Sequence, residues 1–218
     1  MISFACISPH PPIILPSVYK MESKWKKRFI SSPGSEKDRK QVKKTIENLE
    51  LLGKKLAEAK PQSIIIASPH PDSGFNVPLF YLAKDFKGEI KTYLIGAEEP
   101  EHYFEEGKKI GREESSVKLA LIASGDTSHC LKEDGPYGFN LQGPKFDKDL
   151  IETLKKKDFE KLFKLNNMYP EAGECGLRPI CFILGILEAS NVKYQPEVLS
   201  YEYPFGVGYL VVNFKLER

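Results

Sequence analysis

The sequence predicts an α/β fold: one domain over residues 1–218, with a central mostly parallel or mixed sheet and helices on both of its faces. Three observations predict it. Short apolar runs that read as buried strands alternate with longer stretches whose apolar residues recur every three or four positions. The 218 residues are 41% hydrophobic and 28% charged, enough for one sizeable core. No Pro/Gly/Ser-rich linker and no tandem repeat divides the chain.

Residues 2–8 (ISFACIS) form the first expected strand, ended by Pro9-His10-Pro11-Pro12, where successive prolines remove donors and stiffen the exit. Residues 20–38 are charged and contain Ser-Ser-Pro-Gly, a loop signal. From about 39 to 59, Val42, Ile46, Leu49, Leu52 and Leu56 mark an amphipathic helix, stopped by Pro61. Residues 63–67 (SIIIA) read as a buried strand that runs into Ser68-Pro69-His70. A strand is expected within 88–96 and a helix over 98–110, acidic first and basic last as the helix dipole favours. Residues 119–123 (LALIA) are a further buried strand, broken by Ser124-Gly125-Asp126-Thr127-Ser128-His129. A long polar loop follows over 132–147, then one or two helices over 147–157 and 158–165. Residues 174–189 have the apolar content of a buried helix, with Pro179 in its first turns. Residues 193–201 and 207–214 read as two strands of a hairpin around Tyr203-Pro204-Phe205-Gly206.

Bulk properties narrow the function classes. With 32 basic and 30 acidic residues, the net charge of +2 predicts neither nucleic-acid nor membrane binding. The Lys-rich stretches at 24–28 (KWKKR) and 154–158 (LKKKD) read as solvated surface. The four cysteines, Cys6, Cys130, Cys175 and Cys181, form no CxxC pair and no disulfide framework. The first residues lack a basic n-region and a long apolar h-region, and the longest apolar run, around 180–187, is too short to span a bilayer. A cytoplasmic location is the expectation.

Three of the four histidines share a setting. His10, His70 and His129 each follow an expected strand and precede Pro- or Gly-rich chain, whereas His102 sits in a charged helix and reads as surface. Ligands of open α/β sheets gather outside the carboxyl ends of the strands. Three imidazoles delivered there by three strands can meet around one centre, and neutral imidazole suits Fe(II), Zn(II) and related ions. Each of these histidines alone is equally an ordinary turn residue; the set is what points to a metal. Two His with one carboxylate would leave coordination positions open for substrate. Asp72, Asp126 and Glu174 are the carboxylate candidates, and spacing does not choose among them. Asp126 can instead fix the tautomer of an imidazole, and Glu174 can cap the helix it begins.

The segments ISPHPP, SPHPD, SGDTSH, DGPYGFNLQGPKFD, ECGLRP and YPFGVGY, in that order, resemble the class III extradiol dioxygenase superfamily, which includes the Memo-like proteins. The resemblance covers nearly the whole chain and is nearest to a branch associated with AMMECR-type domain proteins. It implies the class III extradiol dioxygenase-like fold. It also implies a non-haem Fe(II) dioxygenase acting with O2 on a catechol- or aminophenol-like small molecule. His10, His70 and Glu174 match the metal ligands, and His129 matches the acid/base, with Asp126 as its orienter and Tyr137 lining the pocket. In Memo-like relatives a cysteine matching Cys175 can be a ligand, so the last ligand stays open between Glu174 and Cys175. Two other functions stay open: a Memo-like metal-binding redox or interaction protein, and a Zn(II)-dependent hydrolase using the same pocket. Zn(II) or another divalent ion is the alternative cofactor. A homo-oligomer and a separate AMMECR-type domain protein are the macromolecular partners left open.

Overall fold

A computed structural model describes residues 1–16, 35–113 and 117–217. The expected loop over 20–38 and the KWKKR stretch therefore fall largely outside the described residues. In chain order the elements are β1 (Ile2–Ser8), α1 (Glu36–Ala59), β2 (Ser63–Ser68), α2 (Ser73–Leu82), β3 (Glu89–Leu94), α3 (Pro100–Glu113), β4 (Leu119–Ser124), α4 (Gln142–Lys156), α5 (Phe159–Met168), α6 (Leu177–Ala189), β5 (Tyr194–Glu202) and β6 (Tyr209–Leu216).

The six strands form one mixed sheet in the order β3-β2-β4-β1-β6-β5. The four on the β3 side run parallel, with β4 paired to both β2 and β1. The C-terminal hairpin β5–β6 is antiparallel, and β6 also pairs antiparallel with β1. This is the predicted α/β architecture with helices on both faces. Alternating strand residues separate two cores. Ile7, Ile65, Leu121 and Val212 pack with α3 to α6, and Cys6, Ile64, Ile122 and Val211 pack with α1 and α2. β2 and β4 are buried along their whole length, which explains their uninterrupted apolar runs.

Two boundaries and one helix differ most from the sequence reading. The long loop ends early, because α4 starts at Gln142 rather than near Asp147. Pro144 is tolerated there because first-turn N–H groups have no helical acceptor, and the Asn140 side chain accepts from the Gln142 N–H at 2.9 Å. The last helix starts at Leu177, three residues after Glu174. Helix α2 carries no sequence signal: it is apolar with little amphipathic contrast and contains Pro78. No helix among the described residues is long and apolar enough to cross a membrane.

Candidate metal centre

Parallel strands β1, β2 and β4 all end at one edge of the sheet, and each ends in a serine: Ser8, Ser68 and Ser124. The polar exits beyond them carry His10, His70 and the 125–129 loop, so sheet direction alone brings these distant residues together. The loop is held tightly. The Asp126 carboxylate accepts from the His10 N–H at 3.0 Å, which ties the β1 and β4 exits to each other. The Cys175 N–H donates to the Asp126 carbonyl at 3.3 Å, and the Asp126 N–H donates to Cys175 Sγ at 3.3 Å. This closeness demands glycine, since a Cβ on Gly125 would lie 2.3 Å from the Gly176 Cα.

Two groups of donors result, with Cys175 common to both. Ligand atoms of His10, His70 and Cys175 lie within 4.8 Å of one another, and so do those of Asp126, His129 and Cys175. Cys175 Sγ is 3.6 Å from His10 Nε2, and Asp126 Oδ2 is 4.0 Å from that nitrogen. The rings of His10 and His70 meet edge to face, with centroids 5.1 Å apart. His10 is buried, while His70 is exposed at the rim. His129 Nε2 is buried and has no hydrogen-bond partner among the described residues. Tyr137 is exposed, with its ring centroid 5.0 Å from that of His129.

Glu174 faces elsewhere. Its carboxylate accepts from the Leu177 N–H at 2.7 Å and approaches Arg178 Nη1 at 3.4 Å, so it caps α6. It belongs to neither donor group. Asp72 is exposed at the start of α2. Of the predicted ligands, His10, His70 and Cys175 converge. Asp126 and His129 stand beside them, and Tyr137 overlooks His129.

The electrostatics favour uncharged side chains. Burial, and then the neighbouring His70, push the His10 imidazole down to about 3. Burial pushes the Asp126 carboxyl up to about 6, against the pull of His129 and the His10 N–H. Burial lowers His129 against the opposing pull of Asp126, and raises the Cys175 thiol, which Asp126 raises further. Burial also raises Glu174, against its bond from Leu177 and the charge of Arg178. Neutral imidazoles with free lone pairs, a sulfur and a carboxylate form a donor set suited to a borderline divalent cation, and the orphaned His129 nitrogen is consistent with a further polar occupant.

One residue of this region escaped the sequence reading. Asp147, in α4, is buried and accepts from Thr127 Oγ1 at 2.9 Å, from the Ser128 N–H at 2.8 Å and from the Tyr201 hydroxyl. It thereby holds both residues that separate Asp126 from His129. A surface groove lined by Lys60, Pro61 and Gly88, just before β2 and β3, lies toward the other end of those strands.

Comparison with known proteins shows likeness in sequence and in fold. Residues 70–212 match the family model described as the catalytic LigB subunit of aromatic ring-opening dioxygenase. A Clostridium acetobutylicum protein, Protein CA_C1420, is 41% identical over 149 residues, which is 66% of this chain and 31% of that protein. The chain thus spans about a third of that relative's length. The crystal structure of the uncharacterized protein JW3007 from Escherichia coli K12 superposes with a TM-score of 0.58 at 15% identity, covering 96% of this chain and 98% of that one. That likeness shows the fold.

Proposed function

Because the chain belongs to the family of the catalytic LigB subunit of aromatic ring-opening dioxygenase, we propose that it is a non-haem Fe(II) oxidoreductase. It opens a catechol- or aminophenol-like ring with O2. The observation that carries this reading is the unpartnered, buried Nε2 of His129 beside a converging His10–His70–Cys175 donor group.

His10 and His70 hold the metal. The third protein ligand is Cys175 rather than Glu174, since the Glu174 carboxylate is engaged at the start of α6. Fe(II) bound there supplies a meeting point for a substrate with vicinal oxygens and O2, with electron transfer between them. His129 takes the proton of a substrate hydroxyl at Nε2 and later returns it; burial keeps it neutral and ready to accept. Asp126 holds the His10 backbone in place and supplies the charge that steadies a protonated His129. Tyr137 covers the His129 side of the mouth.

A second reading is favoured by the sulfur itself: a Memo-like metal-binding redox or interaction protein. A thiolate ligand suits softer ions and redox-sensitive chemistry. Under either reading the chain works in the cytoplasm, with a second copy of itself or a separate AMMECR-type domain protein as partner.

The test is anaerobic reconstitution with Fe(II), followed by oxygen uptake against a panel of catechols and aminophenols. The dioxygenase reading expects stoichiometric uptake, lost in His129→Ala with Fe(II) still bound. Fe(II) bound without uptake across the panel would leave the Memo-like reading. Loss of metal in His129→Ala would make His129 a ligand.

A further inference from the structure

Pro78 lies inside α2, four residues after Gly74. In an α-helix the carbonyl of one residue accepts from the N–H four residues later, and proline has none. The buried Gly74 carbonyl therefore lacks the partner that the helical pattern would provide. It finds one across the interface between α2 and β4, where the Ser124 hydroxyl donates to it.

A hydroxyl has one proton to give. With that proton directed at Gly74, Ser124 Oγ can only accept from His10 Nδ1, which lies 3.0 Å away. Nδ1 then carries the imidazole hydrogen and Nε2 keeps its lone pair. Nε2 is the nitrogen that faces Cys175 Sγ and Asp126. The opposite tautomer would turn the Ser124 proton toward Nδ1 and leave the buried Gly74 carbonyl unpartnered. That penalty corresponds to roughly a 10- to 100-fold preference. Gly74 is also where α2 meets the β2 exit: a Cβ there would lie 2.0 Å from Ser68 Oγ and 3.2 Å from His70 Cβ. The carbonyl thus sits within the pocket wall rather than at a remote helix end.

We infer that Ser124 and Pro78 are positioning residues for the metal centre. Pro78 frees the Gly74 carbonyl, the carbonyl takes the Ser124 proton, and Ser124 locks His10 in the tautomer whose Nε2 can bind a cation. The inference rests on the proposed role of His10 as a ligand, and it adds the reason a helix beside the site contains a proline.

Two variants test it, read by the 15N signature of His10 in the metal-free protein and by Zn(II) affinity in competition with a chelator. The wild type should show hydrogen at Nδ1. Ser124→Ala should give mixed tautomers and Zn(II) binding weakened roughly 10- to 100-fold, the range for residues that orient a histidine ligand. Pro78→Ala restores an N–H that can partner the Gly74 carbonyl, which removes the penalty for turning the Ser124 proton toward His10 Nδ1. It should shift the tautomer and the affinity in the same direction while the helix remains intact by circular dichroism. If Ser124→Ala does not fold, Pro78→Ala decides. A purely structural role would lower thermal stability and leave the His10 signature unchanged. Hydrogen at Nε2 in the wild type, or a wild-type signature in both variants, would overturn the inference. If the wild type fails to bind Zn(II), Co(II) or Fe(II), the proposed metal centre fails, while the 15N signature still decides the tautomer.

Discussion

Asp147 should cost the metal-free protein stability at neutral pH, and replacing it with asparagine should recover that cost. Its carboxyl is buried in α4 and accepts three hydrogen bonds, from Thr127, Ser128 and Tyr201. Those donors favour the ionised form, yet burial outweighs them and raises the group from 3.8 to about 6. The unfolded chain ionises near 3.8, so between these values the folded state holds a proton that the unfolded state has released. The group's contribution is therefore complete below pH 3.8 and is lost as the pH rises through about 6. A shift of about two units corresponds to about 3 kcal/mol. Asparagine fits the same three partners: Oδ1 keeps the Ser128 N–H, and the two hydroxyls turn to accept from Nδ2. Urea denaturation of Asp147→Asn and wild type should agree near pH 4 and diverge by pH 7.5, with the variant more stable by about 2–3 kcal/mol. Asp147→Ala strands three donors at roughly 1–3 kcal/mol each, less whatever the two hydroxyls regain by rotating. It should be destabilised at every pH. An Asp147→Asn variant less stable than wild type at pH 7.5 would refute the reasoning, because the three donors would then outweigh desolvation.

Three further outcomes follow from the geometry around Cys175. Glu174→Ala should lose the α6 cap, at about 1 kcal/mol by chemical denaturation, and keep Zn(II) affinity within about threefold; a larger drop in affinity would make Glu174 a ligand. Cys175→Ser should abolish the near-ultraviolet thiolate-to-metal absorption of the Co(II)-loaded protein, and an unchanged spectrum would exclude the sulfur from the centre. Gly125→Ala forces a Cβ to within 2.3 Å of the Gly176 Cα, where backbone must move. It should lower stability by about 1–3 kcal/mol and weaken Zn(II) binding as the 125–129 loop is displaced; a thermal midpoint equal to wild type would show that the two loops can separate.

Local signals made the strands legible. The apolar runs of β2 and β4 are continuous because both of their faces are covered, and the prolines after β1 and β2 mark their exits. Those two exits carry His10 and His70, and the exit of β4 leads to His129, so much of the pocket could be assembled from chain order and the rule for parallel sheets. Other features needed coordinates. Helix α2 has little amphipathic contrast and contains a proline, so periodicity cannot find it. Asp147 reaches Thr127 from 20 residues away, and no short spacing announces such a bond. Glu174 and Cys175 are neighbours whose side chains part company. That depends on the turn entering α6: the Glu174 carboxylate bonds the Leu177 N–H while the Cys175 sulfur meets the Asp126 N–H.

The electrostatics of the pocket explain why its donors are arranged as they are. Without a cation, burial pushes His10 down to about 3 and Asp126 up to about 6, so at pH 5 neither of these buried groups carries much charge. A cation reverses the balance. It takes up lone pairs that burial has already left unprotonated, and its positive charge compensates the ionised Asp126 and Cys175 that burial disfavours. Metal binding should therefore release protons from the carboxyl and the thiol but hardly any from His10. Calorimetry of Zn(II) binding in buffers of different ionisation enthalpy counts those protons. At pH 5 wild type should release about one more than Cys175→Ser, because the thiol is protonated there and becomes the ligand. Equal release from the two proteins would mean that the sulfur stays protonated and outside the coordination sphere.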